Sequence, residues 1–182
     1  MLPRGFLYLP DFVSHAEERV LLMAFDHEPF APMRVRGQIT KRETVSYGLA
    51  FKPYVASLPP APPLPPYLHP LRNRTATAAG ISSDALMQAL ISRYPERSDI
   101  GWHIDHSSFG GFVACVSLLG SATLSFRRRR RHERVTVAPR SLYLLRDDAR
   151  FEFEHKVVAH SLRFSITLRT IAADTNSLKP TQ

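Results

Sequence analysis

The chain is expected to fold as a mainly β domain with flanking helices, an α+β arrangement built around a sandwich or barrel-like pair of sheets. Three observations predict this. From residue 100 seven short β-rich runs follow one another, at about 100–106, 112–119, 121–128, 133–138, 141–146, 150–155 and 160–171. Turn signals separate them, among them Gly110-Gly111, Gly120, Pro139-Arg140 and Asp147-Asp148. Clear helical signatures occur only in the first half, and close-set strands without long helices pair into stacked or closed sheets.

Taken in order, Ser14-His15-Ala16-Glu17 reads as a capping box, with Val13 positioned as a staple before it. Val20, Leu21, Ala24 and Phe25 follow at helical spacing, which predicts a helix over about 15–26. Residues 30–56 alternate polar and apolar over short stretches and predict two or three short strands or a hairpin region. Pro59, Pro60, Pro62, Pro63, Pro65 and Pro66 impose an extended connection. A second helix starts near Pro70, a first-turn proline, and runs through Leu71 and Ala78 to a stop at Gly80. The predominantly apolar stretch from Ala85 to Ile91 suits either a buried strand or a helix. In the last run, Leu162, Phe164, Ile166 and Leu168 share one face and Arg163, Ser165, Thr167 and Arg169 the other.

At 182 residues the chain is read as one domain, large enough to bury a core. Residues 1–95 supply helices and a recognition segment, residues 96–171 the β core, and residues 172–182 a tail. No segment approaches the length of a membrane span. The single cysteine, Cys115, excludes an intramolecular disulfide and fits a reducing cytoplasm. Met1 to Gly5 lacks the long apolar stretch of a signal peptide, so the expected location is cytoplasmic. Twenty-four Lys and Arg against sixteen Asp and Glu give a net charge of +8, with a pI near 10.1. That excess favours a polyanionic partner, nucleic acid being the usual one. Its densest part is the run of five arginines from Arg127 to Arg131, read either as a solvated hairpin tip or as a phosphate-contacting loop.

The chemistry-bearing cluster is His103-Ile104-Asp105. On a strand, His103 and Asp105 project from one face. A third ligand from a distant strand, His155, would complete the facial triad of two histidines and one carboxylate found in non-haem Fe(II) oxygenases, which leaves coordination positions open. Such an iron needs an electron-donating co-substrate, and a downstream arginine suits the far carboxylate of 2-oxoglutarate. Arg163 and Arg169 lie roughly 20 Å apart along a strand, so each serves a different end of the site. His106 faces away from His103 if the strand continues. The rival reading of His103-x-Asp105-His106 as a zinc hydrolase motif leaves Arg163 without a role.

Tyr94, Gly101-Trp102-His103-Ile104-Asp105, His155 and Arg163-Phe164-Ser165-Ile166-Thr167-Leu168-Arg169, in that order, resemble the AlkB family of Fe(II)/2-oxoglutarate-dependent dioxygenases. The tyrosine nine residues before the metal histidine and the Arg-x5-Arg ending carry most of the similarity, which spans about residues 5–171. The resemblance implies a double-stranded β-helix (jelly roll) core with N-terminal helices and substrate-recognition hairpins. It implies that His103, Asp105 and His155 hold Fe(II), that Tyr94 and Arg163 grip the 5-carboxylate of 2-oxoglutarate, and that Arg169 lies near its C1 end. Ser92 and Ser165 stand where the family commonly has asparagine, and a hydroxyl reaches less far than an amide. The segment from Lys41 to Gly48 is similar to the family's substrate-recognition segment. Arg42, Tyr47, Trp102 and Ser107 are therefore the expected substrate residues, with Tyr47 stacking on or beside a base and Ser107 standing where some DNA-repair members carry a second aspartate.

The resemblance implies a monomer that uses Fe(II), 2-oxoglutarate and O2 to dealkylate N-alkylated bases in nucleic acid, with single strands favoured and DNA repair as the setting. Two alternatives stay open at the level of sequence. One is a 2-oxoglutarate-dependent hydroxylase of a protein side chain. The other is a non-enzymatic basic module for nucleic acid, which accounts for the charge and leaves the metal cluster unused.

Overall fold

The computed structural model describes residues 1–35, 37–50 and 58–172. The end of the predicted 30–56 strand region, at residues 51–57, and the tail beyond residue 172 lie outside them. In chain order the elements are β1 (Phe6–Leu9), α1 (His15–Phe25), β2 (Ala31–Val35), β3 (Gln38–Tyr47), α2 (His69–Ala79), β4 (Gln88–Tyr94), β5 (Asp99–His103), β6 (Phe109–Leu118), β7 (Ala122–Arg128), β8 (Arg131–Val137), β9 (Leu142–Leu145), α3 (Asp147–Phe151), β10 (Glu154–Ala159) and β11 (Arg163–Ile171).

All strand pairings are antiparallel. A seven-stranded sheet runs β1-β9-β6-β11-β4-β3-β2 and a four-stranded sheet β5-β10-β7-β8, together a jelly roll. The two-residue period of the strands divides the core into two layers. Ile91, Val116, Leu142 and Ile166 point from the large sheet toward α1 and α2, where they meet Leu21, Phe25, Leu71 and Ala76. Val113, Cys115, Tyr143 and Leu145 point the other way and pack against Leu124, Phe126 and Val157 of the small sheet. On β11 this period sends Ile166 and Leu168 to the helices and buries Arg163, Ser165 and Thr167 between the sheets.

The capping box of α1 is present in full, with Ser14 accepting from Glu17 N–H and the Glu17 side chain accepting from Ser14 N–H. The residue that would complete the staple is Glu18, so Val13 joins the core instead. Gly80 ends α2 at φ 70°, the left-handed position that favours glycine. The stretch from Ala85 to Ile91 resolves as a 3-10 turn followed by β4, because β4 fills the gap between β3 and β11.

Two of these expectations need correcting, and one strand was not anticipated. The run predicted as a strand at 150–155 is α3 followed by β10. The alternation of Phe151, Phe153 and His155 mimics a strand. Asp147 and Asp148, however, favour a helix start by facing its positive end, and Phe151 is exposed while Phe153 is buried. Asp105 does not share a strand with His103, since β5 ends at His103 and Asp105 sits in the following loop. Finally, β1 carries no strong periodic signal, and it forms by pairing with β9 at the sheet edge. Gly5, at φ 86°, permits that approach: a Cβ there would lie 2.0 Å from the Arg146 carbonyl oxygen.

Candidate active site

The site lies at the seam between the two sheets. His103 closes β5 and stands in register with His155 on β10, their ring centroids 4.2 Å apart. The loop after β5 brings Asp105 beside them, so that one ligand atom from each residue falls within 4.8 Å of the others. His103 Nδ1–H donates to the Gly101 carbonyl at 2.8 Å, a contact that leaves the lone pair on Nε2. Burial and the neighbouring His103 push His155 down to about 4, so its imidazole is neutral at neutral pH. Burial alone would raise the Asp105 carboxyl, but Arg169, His155 and His103 outweigh it and hold it well below the usual range. Two neutral imidazoles and one carboxylate are the forms that ligate a divalent metal.

The opposite wall belongs to the large sheet. Arg169 bridges the seam, with Nη2 2.9 Å and Nε 3.1 Å from Asp105 Oδ1, and Gln88 Oε1 accepts from its Nη1 at 3.0 Å. Arg163 is 1% exposed. Its Nη2 donates to Ser117 Oγ at 2.8 Å, but Nε and Nη1 are buried with no partner among the described residues. Its guanidinium carbon sits 4.9 Å from the centre of the Tyr94 ring. A buried guanidinium with two unsatisfied donors is costly and fits the fork of an incoming carboxylate. Burial raises the Tyr94 phenol, yet Arg42 and Arg163 outweigh it and leave it below its usual range. Ser92 and Ser165 face each other in register, both buried, and Ser92 Oγ has no partner among the described residues.

A narrow inner cavity of about 30 Å3 joins Tyr94, Cys115, Tyr143, Asp105 and His155. Outside it a groove of about 590 Å3 runs past Met33, Arg42, Leu90, Trp102 and Phe109 to His103 and Asp105. Two expected substrate residues lie elsewhere. Tyr47 packs on the helix side of the large sheet, and its hydroxyl, like that of Tyr67, donates to the Glu28 carboxylate. Ser107 is exposed in the loop and does not line the groove. Because that loop is not a strand, His106 turns into the groove rather than away from it. Phe109 is the aromatic ring of the groove wall, its centre 4.5 Å from the Arg169 guanidinium. Trp102, next to His103 on β5, turns its ring to the other face of the small sheet. The Arg127 guanidinium lies 4.6 Å from its ring and is held there by Glu154 at 2.7 and 3.2 Å.

Sequence reasoning missed Arg150. This side chain, 1% exposed, donates to four backbone carbonyls: Gly110 at 3.0 Å, Asp105 at 3.1 Å, His106 at 3.1 Å and Phe109 at 2.9 Å. It pins the loop that carries Asp105. The sequence carries no signal for it, since an arginine between Asp147-Asp148 and Glu152 reads as a solvated charge. Arg150→Met should lower stability by about 3 kcal/mol, since several charge-assisted bonds are lost and their carbonyls stay buried. An unchanged urea midpoint would show that the loop holds itself.

A sequence profile of the 2OG-Fe(II) oxygenase superfamily matches residues 5–169. The chain belongs to that superfamily and is an Fe(II)/2-oxoglutarate-dependent dioxygenase, using Fe(II), 2-oxoglutarate and O2. Among curated proteins it is similar to the alkylated DNA repair protein ALKBH8 homolog of Arabidopsis thaliana, at 27% identity over 87% of this chain and 52% of that protein. It is also similar to the uncharacterized protein L905 of Acanthamoeba polyphaga mimivirus, at 25% identity over 92% of this chain and 85% of that protein. The chain thus spans about half the length of the Arabidopsis relative. The solved structure of OsALKBH1 shares its fold, with a TM-score of 0.74 at 15% identity, covering 93% of this chain and 100% of that one. Among the described residues no helix is long and apolar enough to cross a membrane.

Proposed function

We propose that this dioxygenase removes alkyl groups from N-alkylated bases of nucleic acid, with a single strand as the favoured substrate and DNA repair as the setting. The observation that carries the reading is the groove of about 590 Å3 that opens onto His103 and Asp105 between Trp102 and Arg42. It is large enough for a base taken out of its strand, an extrusion that costs least when the strand is already single. The similarity to a relative described as an alkylated DNA repair protein supports the same reading.

His103, Asp105 and His155 would hold the iron. Arg163 and Tyr94 would take the 5-carboxylate of 2-oxoglutarate, and Arg169, tied to Asp105, lies toward its other end. When bound, the iron with its co-substrate and O2 supplies hydroxylation of an unactivated C–H bond. Leu90, Ile100 and Phe109 line the approach with apolar surface and keep water from the reacting carbon. An N-methyl group hydroxylated there becomes a hemiaminal. It collapses by losing its hydroxyl proton, breaking the N–C bond and releasing formaldehyde, with the nitrogen taking a proton. Incubation with methylated single-stranded DNA, RNA and peptide, followed by assay of succinate and demethylated product, tests the proposal. Turnover of the peptide alone would replace it with protein hydroxylation.

The arginine run contributes less than its length suggests. Arg127 and Arg128 pair with Glu154 and Glu152, and Arg131 with Glu133 and the N-terminal carbonyls. That leaves Arg129 and Arg130 at the turn between β7 and β8, with no ion pair among the described residues. Arg129 holds φ 54°, where glycine or asparagine is the usual choice, so backbone geometry does not explain an arginine. Replacing Arg129 and Arg130 with serine should reduce the slope of log affinity against log salt by about two. An unchanged slope in a binding titration would remove the hairpin from the interface.

A further inference from the structure

The groove is unevenly charged. Arg42 lines both the inner cavity and the outer groove. Arg169 lines both as well, while Arg163 lies buried behind Tyr94. Among the described residues Asp105 is the one carboxylate in either lining, and Arg169 already holds it at 2.9 Å. Other carboxylates nearby are engaged elsewhere: Glu43 with Arg93 on the opposite face of β3, and Glu154 with Arg127. The Arg42 guanidinium lies 5.8 Å from the centre of the Tyr94 ring. Its one hydrogen bond among the described residues is a weak donation to Met33 Sδ at 3.5 Å.

Charge bookkeeping then decides what can enter. The charges of Fe(II) and the dianion of 2-oxoglutarate cancel, so Arg42, Arg163 and Arg169 still face a single carboxylate when both are bound. Bases alkylated on nitrogen fall into two electrostatic classes. N3-methylcytosine is a cation at neutral pH, whereas N3-methylthymine is uncharged and presents two carbonyl oxygens. A second cation in a groove of reduced dielectric, a few ångströms from a guanidinium without a counter-ion, is repelled strongly. A carbonyl oxygen there accepts a charge-assisted hydrogen bond.

We propose that Arg42 is a specificity residue that makes the site select uncharged alkylated bases over cationic ones. The inference rests on the nucleic-acid reading above and adds the charge class of the base. It assigns Arg42 to the base itself, not to the phosphate backbone.

The test uses the full chain, loaded with Fe(II) and 2-oxoglutarate, and single-stranded oligonucleotides of one sequence carrying N3-methylthymine or N3-methylcytosine. Turnover of the two lesions is measured in competition, and their binding is measured anaerobically by fluorescence anisotropy. The wild-type protein should favour N3-methylthymine by about ten- to hundred-fold in both readouts. Arg42→Gln should bring the ratio near parity, and Arg42→Glu should invert it. The ratio is the readout because any loss of co-substrate affinity or of folded protein affects both lesions alike. Equal use of the lesions by the wild type, preference for the cation, or a ratio unchanged in Arg42→Gln would overturn the assignment while leaving nucleic-acid dealkylation standing. Turnover of neither lesion, with 2-oxoglutarate still decomposed by the protein, would overturn the nucleic-acid reading and the inference together.

Discussion

Asp105→Asn should weaken binding of Co(II), used as a spectroscopic stand-in for Fe(II), by at least about a hundred-fold and reduce turnover to background. The substitution keeps the shape of the side chain and removes the negative charge at the point where His103, Asp105 and His155 converge within 4.8 Å. Loss of one member of a buried charged set costs about 3–5 kcal/mol, chiefly because the partner charge is left unpaired, and every 1.4 kcal/mol is tenfold in affinity. Here the stranded partner is Arg169, only partly exposed and donating to Asp105 through two nitrogens. Asp105→Ala should lose metal to the same degree and also unfold at lower urea, since no acceptor replaces the carboxylate. Co(II) binding to Asp105→Asn with wild-type affinity would show that the carboxylate is not a ligand and that its role is to hold Arg169.

Arg163→Met should weaken 2-oxoglutarate binding by about ten- to hundred-fold, the equivalent of one charge-assisted hydrogen bond. The same variant should be more stable than wild type when no ligand is present, by about 1–3 kcal/mol. Arg163 is buried in the core with Nε and Nη1 unsatisfied, and an apolar side chain of similar volume removes that uncompensated charge. Arg163→Lys separates charge from shape: it keeps the cation but loses the fork, and should recover only part of the affinity. Titration calorimetry with anaerobic metal-loaded protein and urea denaturation of the apoprotein supply the two readouts. Unchanged co-substrate affinity in Arg163→Met would place the 5-carboxylate elsewhere. A large loss of apoprotein stability would mean that Arg163 is structural before it is functional.

Much of the fold was legible because strand periodicity and turn residues are local signals. The alternation on β11 correctly separated Ile166 and Leu168 from Arg163 and Thr167; spacing alone did not reveal that the polar set would face inward. That depended on the small sheet covering it. The clustering of His103, Asp105 and His155 could be anticipated from residue type and order. The loop that delivers Asp105 could not, because Arg150 reaches it from 40 to 45 residues away in sequence. Tyr47 is a different kind of miss. Arg42 and Tyr47 are five apart on one strand, so the two-residue period alone places them on opposite faces. The short strand β1 and helix α3 depend on pairing and docking, for which a four- or five-residue segment carries little local signal.

The division of labour between the sheets has a mechanical side. The two histidines hang from the four-stranded sheet, while Tyr94, Arg163 and Arg169 hang from the seven-stranded one, so iron and co-substrate held by these residues as proposed would together span the gap. The width of that gap is set elsewhere, by Phe126, Leu124 and Leu145, all buried between the layers. Packed sheets stand roughly 10 Å apart, and interiors this dense transmit a change of even one methylene. These apolar side chains therefore work as a spacer gauge, and a bulkier or smaller one would retune the grip on 2-oxoglutarate without touching it.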